Sequence, residues 1–203
     1  MAELPQAVVW DITYACPLRC VHCYSESGRR ETRQLGFDEM VRVLDAIIAM
    51  RPGLISFAGG EPLVVPGIAE LVRRVSEAGI DVAVSTGGWH HRPELLRELA
   101  GHGREINVSV DGTTAEVHDR IRGRQGSFER AMNTLTLLDE LARDDEAVRF
   151  GISCTVTRST FAQLDAYCTE LAPRWPRLGG IDFGPVLPAG LASRPDFVAH
   201  EAL

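Results

Sequence analysis

The sequence predicts an α/β fold: an open, partial (β/α)6 TIM-like barrel, with parallel strands inside and helices outside. Three observations carry this expectation. Short β-like runs alternate with longer segments of helical periodicity, the pattern of βαβ units and a parallel sheet. Six strands and five clear helices fit into 203 residues, whereas a closed eight-stranded barrel needs about 250. The residues best suited to bind a ligand fall just after strands, in the βα loops where barrel enzymes keep their sites.

The first strand covers Ala7 to Thr13. A cysteine-bearing loop follows, then a polar stretch from Ser25 to Gln34, whose Arg29, Arg30 and Arg33 read as a solvated basic loop. Phe37, Met40, Val41, Leu44, Ile47 and Ile48 recur at helical spacing. Asp38 and Glu39 suit the positive end of that helix, and Pro52-Gly53 stops it. Strand two, Leu54 to Ala58, runs into Gly59-Gly60-Glu61-Pro62. The helix after Pro66 presents Ile68, Leu71, Val72 and Val75 on one face and stops at Gly79. Strand three, Asp81 to Ser85, leads into Thr86-Gly87-Gly88; His90-His91 beyond it lacks the spacing of a metal site and reads as a solvated loop.

Pro93 opens the third helix. Strand four, Ile106 to Val110, precedes Asp111-Gly112. Ser127 is the expected N-cap of helix four, whose apolar face is Phe128, Ala131, Leu135, Leu138 and Ala142. Asp144-Asp145-Glu146 reads as a solvated turn before strand five, Val148 to Val156. Helix five begins near Ser159 or Thr160, carries Phe161, Leu164, Cys168 and Leu171 on one face, and ends at Pro173. Strand six is Gly180 to Phe183. Residues 1–190 form the expected core domain. Residues 191–203 are expected to be a tail with a weak helix at most, either the end of a minimal domain or the start of an extension.

Composition narrows the function. Hydrophobic residues make up 45% and charged residues 24%, which suits a globular core and excludes general disorder. No apolar run approaches the ~20 residues that span a bilayer, and the opening residues lack a secretory signal, so a cytoplasmic protein without a membrane partner is expected. A net charge of −7 argues against nucleic acid as a partner. All 21 basic residues are arginine.

Cys16, Cys20 and Cys23 stand in a C-x3-C-x2-C spacing straight after the first strand. Thiols this close need a metal, a cluster or each other. A [4Fe–4S] cube takes four ligands, so three local thiolates leave one iron open to a non-protein ligand. A structural zinc site is the competing reading, but it usually draws on a second cysteine pair downstream. Cys154 and Cys168 lie far apart in apolar surroundings and read as small buried hydrophobes. Five cysteines without a secretory signal do not suggest a disulfide framework.

This motif resembles the signature of the radical S-adenosylmethionine (radical SAM) enzymes. The resemblance implies a [4Fe–4S] cluster on Cys16, Cys20 and Cys23, with the amine and carboxylate of SAM on the fourth iron. It implies reductive cleavage of SAM to a 5′-deoxyadenosyl radical that abstracts a substrate hydrogen. His22, before the last cysteine, and Tyr24, after it, fall among the cofactor-binding positions. Gly59-Gly60-Glu61-Pro62 is similar to the family's GGEP loop, which hydrogen-bonds the SAM amine; a plain turn is the competing reading. Of the loop after strand three, similar to S-T-N-G, only Thr86 carries over. Val108-Ser109-Val110-Asp111-Gly112 resembles S-x-D-G, in which Ser109 contacts SAM and Asp111 contacts the ribose or shapes the turn.

His118-Asp119-Arg120-Ile121-Arg122-Gly123, with Gly126-Ser127-Phe128, resembles the H-D-x-x-R-G-x-x-G-S-F run of peptide- and cofactor-maturing members. Arg122 and Arg130 are the candidates to clamp the SAM carboxylate, against surface arginines pairing with Asp119 or Glu129. Val156 and Leu187 fall where the family packs adenine, and Val156 also reads as plain core. The resemblance is to the core of SPASM-type members, which modify ribosomally made peptides or build peptide-derived cofactors. It implies a peptide or small-molecule substrate and a flavodoxin- or ferredoxin-like electron donor. Tetrapyrrole-pathway members, and a non-catalytic remnant that binds a cluster and SAM, are the alternatives.

Overall fold

Six parallel strands pair in sequence order, β1 through β6, in one open sheet. They are β1 (Ala7–Thr13), β2 (Leu54–Gly59), β3 (Asp81–Thr86), β4 (Glu105–Ser109), β5 (Phe150–Val156) and β6 (Ile181–Pro185). The computed structural model describes residues 5–32, 34–90, 92–103 and 105–203. Arg33 and His91 lie outside the described residues. No helix among the described residues is long and apolar enough to cross a membrane.

The strands alternate strictly between two faces. Ile55, Phe57, Val82, Val84, Ile106, Val108, Ile152 and Cys154 are buried and form one face. That face packs on α1 (Phe37–Ala49), α2 (Ile68–Glu77), α3 (Pro93–His102) and α5 (Ser127–Asp144), through residues such as Leu44, Leu71, Leu99 and Leu135. The other face carries small or polar residues: Ser56 and Ala58, Ser85, Asn107 and Ser109, Ser153 and Thr155. One sheet therefore has an oily back and a polar front, and the front is left to a ligand.

Several expectations change. A helix not foreseen, α4 (Ala115–Arg122), forms between β4 and α5. Ser127 is not the N-cap of α5; Gly126 holds that position. The capping oxygens come instead from Asp119, which accepts from the Gly126, Phe128 and Ser127 donors at 2.6, 2.7 and 2.8 Å. Partial burial works against the Asp119 charge, but these three bonds hold its carboxyl below the usual range.

Helix five is broken into α6 (Arg158–Phe161), α7 (Leu164–Ala166), a π turn over Tyr167–Leu171 and a 3-10 turn over Ala172–Arg174. Tyr167 opens the π turn. Its ring is fully buried, and its hydroxyl donates to the Val110 carbonyl at 2.8 Å. Within these broken segments Cys168 and Phe161 face solvent rather than the core. Only Cys154 is the buried hydrophobe expected of both cysteines. The tail is also more ordered than expected. It forms α8 (Pro195–His200) and buries Leu191 and Phe197, while the Leu191 N–H donates to the Cys23 carbonyl at 3.1 Å.

Candidate active site

The loops leaving β1 to β5 meet around a cavity of about 280 Å3. Cys16, Cys20 and Cys23 all line it, with His22, Tyr24, Gly59, Gly60, Glu61, Thr86, Ser109 and Arg122. Ser25, Ser27, Ser85, Gly87 and Thr155 complete the polar wall and were not foreseen.

The cysteine loop is held from behind. The Arg19 and Val21 N–H groups, either side of Cys20, donate to the Arg122 and Ile121 carbonyls at 3.0 and 2.9 Å. These are the last carbonyls of α4, which lack partners within the helix. Gly123 follows with φ 65°, and a Cβ there would collide with the Arg19 carbonyl. Arg29 donates to the Arg19 and Cys20 carbonyls, and Arg30 lies 4.2 Å over the Tyr14 ring. The basic loop is therefore not merely solvated; it braces the cysteines.

Arg122 and Asp111 form the centre of this support. The Arg122 Nη2 lies 2.8 Å from Asp111 Oδ2, and Nη1 lies 3.7 Å from Cys20 Sγ. Asp111 is fully buried, accepts from the Thr155 N–H at 2.8 Å, and sits 3.3 Å from His22 Nε2. Burial opposes the Arg122 charge, but Asp111 together with Cys20 and Cys16 outweighs it and raises the guanidinium pKa above its ordinary value. Asp111 is not among the cavity-lining residues; it acts through Arg122 and His22. His118 completes the set: its Nδ1 accepts from the Asp111 N–H at 3.2 Å, and its ring packs edge-on against Phe128.

Glu61 is equally committed. It is fully buried and accepts from the Thr86 hydroxyl, the Gly87 N–H and the Leu63 N–H at 2.8, 2.9 and 3.2 Å. The last of these caps the 3-10 turn Pro62–Val64, where Pro62 is buried away from the cavity. Burial pushes the Glu61 carboxyl up against the pull of these bonds. A carboxylate offers about four acceptor sites, so one remains. The two glycines before it serve the chain rather than a ligand. A Cβ on Gly59 would stand 2.6 Å from the Thr13 carbonyl oxygen, and one on Gly60 would fall on that of Ala15. Both positions admit glycine because the loops after β1 and β2 touch there.

Besides Pro62 and Asp111, three expected residues do not reach the cavity. Val156 faces the helices with Ile152 and Cys154; one residue earlier, Thr155 faces the polar front. A single-residue step along a strand exchanges its two faces. Leu187 is 69% exposed beyond β6. Arg130 is exposed, donates to the Trp89 carbonyl and stacks on the Trp89 ring instead of entering the site. Tyr24 is half-exposed, and its hydroxyl donates to Asp11 at 2.8 Å.

The donor set fits an iron–sulfur cluster. Among the described residues no group of three Cys, His, Asp or Glu side chains could hold a single metal ion. A cluster spreads its thiolates over separate irons and needs no such convergence. Burial pushes the Cys16 thiol up to about 12 and raises Cys20 as well, so metal binding would have to displace their protons. Buried His22 Nδ1 and Arg122 Nε, both on cavity residues, have no hydrogen-bond partner, and a polar ligand would satisfy such groups.

The comparisons with known proteins agree. Residues 10–161 match the model of the radical SAM superfamily, and the chain belongs to it. Members of this family are enzymes that use a [4Fe–4S] cluster and S-adenosylmethionine. The chain is 38% identical over 174 residues to the mycofactocin maturase MftC of Mycobacterium tuberculosis, covering 85% of this chain and 43% of that protein. It is 32% identical over 166 residues to the AdoMet-dependent heme synthase of Methanosarcina barkeri, covering 81% and 46%. The fold is similar to that of Streptococcus suis SuiB bound to its precursor peptide SuiA, with a TM-score of 0.74 at 16% identity over 91% of this chain and 40% of that one. AdoMet-bound anSMEcpe gives 0.71 at 19% identity over 89% and 51%. The chain thus spans less than half the length of these curated relatives.

His118 makes the site sensitive to acid. Burial, then the Arg122 charge, lowers its pKa to about 4 from 6.5. Between these values the unfolded chain binds the proton and the folded chain does not, so stability falls as pH drops from 6.5 toward 4. The full span is worth about 3 kcal/mol. His118→Gln keeps an acceptor for the Asp111 N–H and removes this titration. Urea unfolding of the cofactor-free chain should show wild type losing more stability than the variant between pH 7 and 5. Parallel losses would contradict the assignment.

Proposed function

We propose that this chain is the core of a radical SAM enzyme that modifies a ribosomally made peptide or builds a peptide-derived cofactor. The observation that carries the proposal is the gathering of Cys16, Cys20 and Cys23 with the β2, β3 and β4 loops on one cavity. The 38% identity to a mycofactocin maturase supports the peptide class. In this reading residues 1–190 are the core domain, and 191–203 are a C-terminal tail that packs back on it.

The three cysteines hold the cluster. The remaining acceptor site of Glu61 faces the SAM amine, with Thr86 behind Glu61, while Gly59 and Gly60 let the β1 and β2 loops close together beside it. Ser109 and Thr155 supply hydroxyls from the sheet front, and His22 and Tyr24 flank the third cysteine. Arg122 is the cation for the SAM carboxylate, kept charged by Asp111. Bound together, cluster and SAM supply one-electron cleavage of SAM to a carbon radical that takes a hydrogen from the substrate. The chain's own work is to orient the two cofactors and to keep a buried cation beside Cys20. A small-molecule substrate of the tetrapyrrole class is the second reading, favoured by the 32% identity to a heme synthase.

Anaerobic reconstitution should load about four irons per chain. Cys20→Ala should lose the cluster, whereas Cys154→Ala with Cys168→Ala should keep it. A Cys20→Ala chain with full iron and an unchanged spectrum would defeat the ligand assignment.

The substrate class has its own test. A short peptide encoded beside this gene should raise 5′-deoxyadenosine release from the loaded chain and emerge with a changed mass. Stimulation by an iron-coproporphyrin, with none from the peptide, would select the second reading.

A further inference from the structure

We infer that Arg19, Arg92, Arg124 and Arg130, set around Trp89, form a docking surface for an acidic redox protein that delivers electrons to the cluster. This rests on the reading that Cys16, Cys20 and Cys23 hold that cluster.

The arginines form one patch. Arg124 and Arg130 stack on Trp89 at 3.7 and 4.3 Å from the ring centre. Arg92, Arg124 and Arg130 all act on His90, the next residue. Arg19 adjoins Gly123, whose Cβ would stand 3.2 Å from the Arg19 Cβ, and Arg124 follows in the chain. All four arginines are exposed.

Their charges are not neutralised. Arg124, Arg130 and Arg92 donate to the carbonyls of Pro17, Trp89 and Leu63 at 2.7, 3.1 and 3.3 Å. A neutral carbonyl fixes a guanidinium in place but leaves its charge to act outward. Among the described residues none of the four forms an ion pair with a carboxylate, whereas Arg73, Arg120, Arg177 and Arg194 each do. A rigid, uncompensated cationic patch on a chain of net charge −7 is a steering field for an anionic partner. Trp and Arg are also the side chains that most often anchor an interface.

Position selects the partner. Arg124 is bonded to the carbonyl next to Cys16, and Arg19 precedes Cys20. The cysteines line the cavity, while none of the four arginines nor Trp89 does. The patch therefore lies on the outer side of the loop that holds the thiols. A substrate must reach the cavity to meet a radical, and a peptide on this patch would be outside it. An electron need only cross the loop. One electron leaves the reduced partner and enters the oxidised cluster; no bond forms or breaks.

The test uses a plant-type [2Fe–2S] ferredoxin as acidic donor and reduced methyl viologen, a cation, as control. Arg92→Glu with Arg130→Glu changes the patch without touching the Arg124 bond to Pro17. Cluster reduction by ferredoxin, followed by stopped flow at low salt, should slow by about tenfold or more. Iron content and reduction by methyl viologen should stay unchanged, and added salt should slow the wild type toward the variant. An unchanged ferredoxin rate, or equal slowing with both reductants, would overturn the proposal. So would a variant that loses affinity for an acidic peptide and not for ferredoxin. A wild-type chain that takes up no iron would defeat the cluster reading instead. Calorimetry of oxidised ferredoxin with that cluster-free chain would still decide the surface: binding that the variant leaves unchanged overturns it.

Discussion

The buried pair between Arg122 and Asp111 is the constraint on which the site depends. It joins the end of β4 to the end of α4, and α4 in turn holds the cysteine loop through the carbonyls of Ile121 and Arg122. Removing one partner of such a pair costs about 3–5 kcal/mol, because the other is left as an uncompensated buried charge. The neighbouring groups satisfy part of it and leave the Arg122 Nε without a partner. Thr155 donates to Asp111 from β5, His118 accepts its N–H, and the Cys20 sulfur lies against the guanidinium. One ion pair thereby ties two strands, a helix and the loop of cysteines together.

The front of the sheet explains why a site can exist there. Its strands carry Ser, Asn and Thr where the back carries Ile, Val and Phe. A barrel closed by eight strands fills its interior with branched side chains. Six strands with a polar front leave that interior open at the loop end. Glu61 and Asp111 are fully buried beneath it, each with its hydrogen bonds directed by the chain itself. The two carboxylates fix the loops after β2, β3, β4 and β5 relative to one another before any cofactor arrives.

Much of this was legible in the sequence, for identifiable reasons. The six strands lie where short apolar runs place them, because parallel strands buried on one face need those residues. The cysteines and the Gly59–Glu61 loop could be read because their spacing is local. What escaped was set by tertiary contact. Where helix five breaks, the Tyr167 hydroxyl is anchored on Val110, a partner 57 residues away that no local pattern reveals. Val156 was expected from the resemblance, but Thr155, one residue earlier, is the one that lines the cavity; strand alternation from Ser153 points to it. The role of Asp119 was misassigned to Ser127 because the cap comes from the preceding helix rather than from the position before α5. Arg130 looked equivalent to Arg122 on charge alone, and only the fold separates a buried guanidinium from one stacked on a surface tryptophan.

The central claim is that the Arg122–Asp111 pair positions the cysteine loop before cofactors bind. Amide hydrogen exchange of the cluster-free chain tests it most directly, at the Arg19 and Val21 N–H groups that donate to α4. In Asp111→Asn these two amides should lose protection while those of β2, β3 and β4 keep theirs. Protection of Arg19 and Val21 equal to wild type, in a variant whose sheet amides are also unchanged, would contradict the account.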